Sequence, residues 1–190
     1  MTTKLPIYED KFKEAASVYN LDWKLLAAIS YQESKWNNNA ISPTGVKGLM
    51  MLTKSTATML GVNRLNPTET ILGASKYITQ LSKKYIKYND DTKLSMTLAS
   101  YNVGPGHIND IIKLANKDGA NLENWLTLKK YLLKLHKNEF YKDMKFGYAR
   151  GWEAVQYIEN VKQYYDIISF LEEKDKKLEN KILQEVPKTL

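Results

Sequence analysis

The sequence predicts an all-α fold, a compact domain built from many helices. Apolar residues recur at helical spacing in one segment after another, and no stretch of strand-like alternation is long enough for a main sheet. The 190 residues, 43% of them hydrophobic, are enough to bury one sizeable core. We expect one domain over residues 1–172 and a charged tail or helix extension over residues 173–190. A very small β element near residues 46–52 is compatible with this pattern.

Helix signals divide the first half of the chain. Pro6 suits the first turn of a helix, Asp22 and Thr53 are good N-caps, and Gly61 is a good C-cap. The helices predicted here span 6–19, 23–33, 54–60, 67–87 and the stretch from Asp91 or Thr92 to Asn102.

Three further helices are predicted in the second half, over 107–118, 121–135 and 150–171. Between the last two lies a linker-like stretch, 138–147, which contains Phe140, Tyr141 and Phe146. After Phe170 the sequence EEKDKKLENK is highly charged, which indicates a fraying helix or a tail outside the core.

Composition excludes several classes of function. The chain has no cysteine and two histidines, so we expect no cofactor and no metal site. It has no apolar run long enough to span a membrane and no secretory signal at its start. The net charge of +7 suits either a polyanionic partner or a solvated lysine-rich surface. No nucleic-acid-binding motif is present, so we expect no nucleic-acid partner.

Glu33 is the strongest candidate for a catalytic residue. It continues the apolar stripe of Leu26 and Ile29 toward the end of its predicted helix. A carboxyl group on the buried side of a helix tends to keep its proton near neutral pH, as a general acid must. The alternative is an ordinary glutamate that points to water from a helix end.

A polar loop, 35–47, follows Glu33 and leads into an apolar segment, 46–52. The turn residues of Ser42-Pro43-Thr44-Gly45 predict the loop, while Trp36 and Met50 are expected to belong to the core. Further along, Tyr101 and Asn102 lie at another predicted helix end. Two such ends can face one another across a cleft.

Four ordered motifs carry a resemblance to a known family. They are Glu33-Ser34, Ser42-Pro43-Thr44-Gly45, Gly48-Leu49-Met50 and Ser100-Tyr101-Asn102-Val103-Gly104. Their order and spacing resemble those of the motifs in the catalytic domain of the lysozyme-like lytic transglycosylases. The residues within the motifs are most similar to those of the membrane-bound lytic murein transglycosylase F branch. The chain differs from many members at Met51 and Lys54, where they have Gln and Pro.

The resemblance implies a lysozyme-like catalytic domain over 1–172 that cleaves peptidoglycan without water and leaves 1,6-anhydromuramic acid ends. Glu33 is then the single acid/base, because the chain has no Asp or Glu between Ser34 and Leu60 to supply a second carboxylate. By the same resemblance, the substrate-binding residues are Ser42, Met50, Tyr101, Asn102, Glu153 and Tyr157.

Other functions stay open at this point. One is a muramidase of lysozyme type, in which a distant carboxylate such as Glu153 folds into the cleft. Others are a lysozyme-like module that binds glycan or protein without turnover, and a basic nucleic-acid binder.

If the chain has the family function, we expect peptidoglycan strands as its partner and a monomeric state. We also expect a location in the bacterial periplasm or cell envelope, at the outer membrane if the parent protein is F-type. Any membrane association would come through a segment of the parent protein that this chain lacks.

Overall fold

The structure, a computed structural model, describes the backbone of residues 5–185 and the side chains of residue 5 and residues 7–178. Nearly all of its regular structure is helical, so the predicted all-α class is confirmed. The helices are α1 (Leu5–Tyr19), α2 (Trp23–Ser34), α3 (Lys54–Leu60), α4 (Pro67–Lys83), α5 (Asp90–Val103), α6 (Pro105–Lys117), α7 (Trp125–Leu132), α8 (Asn138–Tyr141) and α9 (Gly151–Glu185). A 3₁₀ turn, Leu133–His136, lies between α7 and α8.

Helix α2 lies at the centre of the fold, packed against α1 and against α9. Leu26, Ala27, Ala28 and Ile29 of α2 are all fully buried, so the middle of this helix has no solvent-facing side. Helix α5 packs against α9 as well, and also against α4 and α6. Two helices that carry site candidates, α2 and α5, are thereby fixed against a third, α9.

Local capping chemistry sets several helix boundaries where the sequence predicts them. The side chain of Asp22 accepts a hydrogen bond from the backbone N–H of Lys24, and Thr53 caps α3 in the same way through Thr56. Gly61 ends α3 in the left-handed conformation at φ 72°.

Several boundaries differ from the predicted ones. Helix α4 ends at Lys83, because residues 84–88 turn before Asn89 caps α5. Helix α6 begins at Pro105, directly after Gly104. Residues 121–124 are a turn, because the side chain of Asn124 caps α7 through the backbone N–H groups of Leu126 and Thr127.

Beyond Leu171, α9 continues as a helix to Glu185. The charged segment 173–185 therefore extends α9, and the rest of the predicted tail, 186–190, lies outside the described residues.

The polar loop after α2 contains what little strand-like structure is described, a single antiparallel bridge between Ile41 and Lys47. The turn at its tip is closed by a hydrogen bond of 2.8 Å from the backbone N–H of Ser42 to the carbonyl of Val46. Trp36 is buried, as predicted, and its indole N–H donates to the carbonyl of Ala27 at 2.9 Å. The start of the loop is thus anchored to α2, and its tip is closed by a hydrogen bond of its own.

Gly151 determines how closely α9 approaches the end of α7. A Cβ at this position would overlap the carbonyl oxygen of Leu132 and crowd the side chain of Leu135. We predict that Gly151→Ala lowers the free energy of unfolding by about 2 kcal/mol or more, because a backbone carbonyl cannot move aside without shifting α9. Denaturant unfolding would measure the loss.

Gly61→Ala is the matched control, since a Cβ there meets no atom within 4 Å and adds only the strain of a positive φ. In that variant the free energy of unfolding should fall by about 1 kcal/mol. Equal losses in the two variants would contradict the proposed overlap with Leu132.

Candidate active site

Glu33 lies in the last turn of α2 and faces α9. The hydroxyl of Tyr157, in α9, donates a hydrogen bond of 2.7 Å to Oε1 of Glu33. The residue after the helix, Lys35, caps α2 in the left-handed conformation at φ 53°, which turns the chain away directly after the carboxylate. The glutamate does not point freely to water, because its carboxyl group is held between two helices.

Burial changes the protonation of Glu33. Desolvation raises the pKa of its carboxyl group from 4.5 to about 7, against the opposing effects of the Tyr157 hydrogen bond and of the positive charge on Lys35. Part of the side chain reaches solvent, but protein atoms surround the carboxyl group closely enough for desolvation to dominate. A carboxyl group with a pKa near 7 can give a proton and take one back at neutral pH.

Two tyrosines share the electrostatic environment of Glu33. Burial raises the pKa of both Tyr101 and Tyr157 well above the ordinary value, and the nearby charge of Glu33 raises each further. Both hydroxyl groups therefore stay protonated and act as hydrogen-bond donors at neutral pH. Tyr157 directs its proton to Glu33, whereas Tyr101 donates to the backbone carbonyl of Met50 at 2.7 Å.

The backbone of the apolar segment 48–52 is held beside Glu33 by side chains from two helices. The hydroxyl of Ser34, in α2, donates to the carbonyl of Leu49 at 2.8 Å. Tyr101, in α5, holds the next carbonyl along, that of Met50. Met51 follows with a left-handed φ of 48°, a strained conformation for a side chain of this size. The two hydrogen bonds fix the segment directly before that strained residue.

Two other predicted site residues make their hydrogen bonds elsewhere, and a third is exposed. The hydroxyl of Ser42 accepts from the backbone N–H of Val46 at 3.0 Å and so stabilises its own turn. Glu153 forms an ion pair of 2.8 Å with Arg150, one turn before Tyr157 on α9. Asn102 is exposed at the end of α5, next to Tyr101. The structure thus brings Glu33, Tyr101, Met50 and Tyr157 together.

Two residues outside the predicted catalytic and substrate-binding set also contribute to the site. Ser34 anchors Leu49; in the sequence it belongs to the Glu33-Ser34 motif and follows Ser30 by four residues along the buried side of α2. Lys35 lies over the ring of Tyr164, 129 residues away in sequence, and no local pattern predicts that contact.

An open cavity of about 620 Å³ lies on the Tyr101 side of the site. Tyr77 lines it, and the ring of Tyr77 is 5.9 Å from that of Tyr101. A second cavity, of about 370 Å³, includes Asp22 and therefore lies at the opposite end of α2 from Glu33. The first cavity adjoins the site through the contact between Tyr77 and Tyr101, and Glu33 is not among the residues that line it.

Comparison with known proteins gives consistent matches. The profile of the family described as "Transglycosylase SLT domain" matches residues 10–124. A membrane-bound lytic murein transglycosylase F of Shewanella loihica is 43% identical over 184 residues, which are 96% of this chain and 38% of that protein. One of Pseudomonas fluorescens is 46% identical over 175 residues, 88% of this chain and 35% of that protein. The chain thus spans little more than a third of the length of these relatives.

Solved structures show the same fold. The 70 kDa soluble lytic transglycosylase of Escherichia coli matches with a TM-score of 0.60 at 24% identity, over 83% of this chain and 23% of that one. The complex of a 70 kDa soluble lytic transglycosylase with bulgecin A matches with a TM-score of 0.63 at 21% identity, over 86% and 24%. The predicted lysozyme-like architecture is confirmed by these matches.

The raised pKa of Glu33 predicts a cost in stability. Between pH 4.5 and pH 7 the folded chain holds a proton that the unfolded chain releases, so stability falls as the pH rises through this window. We predict that Glu33→Gln, which cannot ionise, is more stable than the wild type at pH 8 by on the order of 3 kcal/mol, and by less than about 1 kcal/mol at pH 5. Denaturant unfolding at both pH values would measure the difference.

Glu173→Gln is the control, because Glu173 is an exposed glutamate in the distal part of α9. It should change stability little at either pH. A gain for Glu33→Gln that is the same at pH 5 and pH 8 would contradict a buried, proton-holding carboxyl group.

Proposed function

Because the chain belongs to the family of transglycosylase SLT domains, we propose that it is a peptidoglycan lytic transglycosylase. It would cleave the β-1,4 bond between N-acetylmuramic acid and N-acetylglucosamine and leave 1,6-anhydromuramic acid ends. The observation that carries the proposal is the single carboxyl group of Glu33, held by Tyr157 with a pKa of about 7.

In the first step Glu33 acts as the general acid. Its proton passes to the oxygen of the glycosidic bond, which breaks and releases N-acetylglucosamine as the leaving group. A positively charged centre develops at C1 of the muramic acid, and the sugar's own N-acetyl oxygen would stabilise it. The hydrogen bond from Tyr157 then stabilises the carboxylate that remains on Glu33.

In the second step the same carboxylate acts as the base. It takes the proton from the 6-hydroxyl of the muramic acid while that oxygen bonds to C1 and closes the 1,6-anhydro ring. Glu33 regains its proton, and no water is consumed. One group can serve in both steps because its pKa lies near the working pH.

We assign the other predicted residues to substrate binding. Tyr101 and Met50 lie next to the acid, where the hydroxyl and the fixed backbone of the 48–52 segment can face an N-acetyl group. Ser42 lies on the polar loop, Asn102 at the end of α5 and Glu153 in the first turn of α9. They would contact sugars further along the strand.

Hydrolysis is the competing reaction, and Glu153 is the carboxylate that would have to support it. Its ion pair with Arg150, at 2.8 Å, favours a binding role over attack by an activated water. A module that binds without turnover is less favoured, because holding a desolvated carboxyl group costs stability that a binding site would not need.

The relatives suggest the cellular setting. Both are named as membrane-bound lytic murein transglycosylases, so we propose that this chain also acts in the cell envelope. Among the described helices, none has the length and apolar character to cross a membrane. We further propose that residues 1–172 form the catalytic unit and that the distal part of α9, with the residues after it, is an extension of it.

The reaction predicts a specific product. Incubated with purified peptidoglycan, the wild type should release muropeptides that are one water lighter than hydrolysis products, which mass spectrometry would detect. Reducing-end products would contradict the transglycosylase mechanism and implicate Glu153. If the folded wild type released no soluble product, the proposed activity would be wrong.

Turnover should depend on Glu33. Glu33→Gln keeps the shape of the side chain but removes its proton transfer, so we expect the rate of product release to fall by at least about a hundredfold. Glu173→Gln should retain the wild-type rate. Circular dichroism would confirm that both variants are folded, and near-native turnover by folded Glu33→Gln would rule out its role.

A further inference from the structure

Lys35 occupies an unusual place for a lysine so close to the acid. Its ammonium group lies 4.5 Å from the ring centre of Tyr31 and 4.8 Å from that of Tyr164. The hydroxyl of Tyr164 also accepts a long hydrogen bond from it, at 3.4 Å. The two rings meet edge to face at 4.7 Å, so they form a small aromatic cage around the cation.

The cage is built from parts of the fold that do not move independently. Tyr31 is one turn before Lys35 in α2, and Tyr164 belongs to α9. Tyr31 also packs on the buried ring of Trp36, at 4.8 Å. Lys35 has a left-handed backbone at φ 53°, and its ammonium group lies over the rings of Tyr31 and Tyr164. The side chain of Lys35 is exposed to solvent, and its contacts with the two rings favour this position of the ammonium group.

Lys35 is also the charged residue that acts on Glu33. Its positive charge stabilises the carboxylate and opposes the desolvation that favours the protonated form. The other titratable groups facing Glu33 are Tyr157 from α9 and Tyr101 from α5, both held neutral by burial. The segment 48–52 has no ionisable side chain.

Charges further along the packed helices are compensated by partners of their own. Glu153 pairs with Arg150, Glu159 with Lys129, and Lys162 with Asp91. On α1, which packs on the other side of α2, Lys13 pairs with Glu9 at 2.6 Å. Each pair presents nearly zero net charge at a distance, which leaves Lys35 as the cation that acts on the acid.

We propose that Lys35 is a positioning residue for the acid/base cycle, a cation fixed between Tyr31 and Tyr164 that stabilises the ionised form of Glu33. The inference rests on the proposed function, because it matters most to a residue that must exist as carboxylate between two proton transfers. Without the cation, the Tyr157 hydrogen bond alone would oppose the desolvation, so Glu33 would hold its proton more tightly and the second, base-catalysed step would slow. With it, both protonation states are accessible at neutral pH.

The test compares the titration of Glu33 in the wild type with its titration in variants of Lys35. Carbon-13 labelling of the glutamate side chains and NMR titration would give the pKa of the Glu33 carboxyl group, identified by its absence in Glu33→Gln. Lys35→Met removes the charge but keeps a long side chain at the same φ, and it should raise that pKa by about half a unit or more. Lys35→Arg keeps the charge and should restore the wild-type value.

Lys174→Met is the matched control, because it also removes one positive charge from an exposed position. Lys174 lies 17 residues beyond Tyr157 in α9, about 25 Å along the helix, so Glu33 should not sense its loss. Equal titration of Glu33 in Lys35→Met and Lys174→Met would overturn the proposal. So would a shift in Lys35→Arg as large as that in Lys35→Met, since it would point to lost packing rather than lost charge.

The cage makes a separate contribution that Tyr164→Leu would test. This variant leaves the lysine charged but removes one wall and the hydroxyl acceptor, so the pKa of Glu33 should rise by less than in Lys35→Met. An unchanged value would contradict a fixed position for the cation. The pH–rate profile of peptidoglycan cleavage provides the functional readout, and its alkaline limb should move to higher pH in Lys35→Met.

The two proposals can fail separately. The titration of Glu33 requires no turnover, so it decides the role of Lys35 even if the wild type releases no soluble product. Anhydro products from the wild type, together with an unmoved titration in Lys35→Met, would leave the proposed reaction intact and refute the electrostatic role.

Discussion

The hydrogen bond between Tyr157 and Glu33 is the contact on which the arrangement of the site depends. It joins residues 124 positions apart and fixes the end of α2 against α9. Its geometry is set from both sides, by the fully buried middle of α2 and by the close approach of Gly151 to Leu132. If α9 moved along its axis by one residue, or about 1.5 Å, the 2.7 Å contact with the carboxylate would be lost.

The site combines a costly carboxyl group with a backbone that the fold holds firmly. Desolvation of Glu33 opposes folding above neutral pH, and the left-handed backbone at Met51 and Lys35 adds strain. Hydrogen bonds from Ser34 and Tyr101 to adjacent carbonyls offset part of this cost and keep the segment 48–52 from relaxing. Because α2 and α5 each supply one of these bonds, the site persists only while both helices stay packed on α9.

Local chemistry explains which features the sequence could predict. The start of α2 at Trp23, the bounds of α3 and the buried stripe leading to Glu33 follow from caps and periodicity, which act over a few residues. The predicted start of the helix at 121 was wrong, because Asn124 satisfies the first N–H groups of α7 and makes 121–124 a turn. The roles of Ser34 and Lys35 depend on Leu49 and on Tyr164, and such distant contacts leave no periodic signal. The side-chain contacts of Ser42 and Glu153 within the chain were equally unpredictable, since each depends on a neighbour's rotamer.

A site with one acid requires that the same group end each cycle as it began, and its surroundings in this chain meet that demand through opposing effects. Burial favours the protonated state and dominates, while the Tyr157 hydrogen bond and the Lys35 charge favour the ionised state and limit the rise of the pKa to about 7. A second carboxylate close by would disturb this balance, because like charges raise each other's pKa. The absence of Asp and Glu between Ser34 and Leu60 and the presence of a lysine at position 35 therefore act in the same direction, because both favour the ionised form of Glu33. Both keep the pKa of Glu33 close enough to neutral pH for its one proton to be given up and recovered.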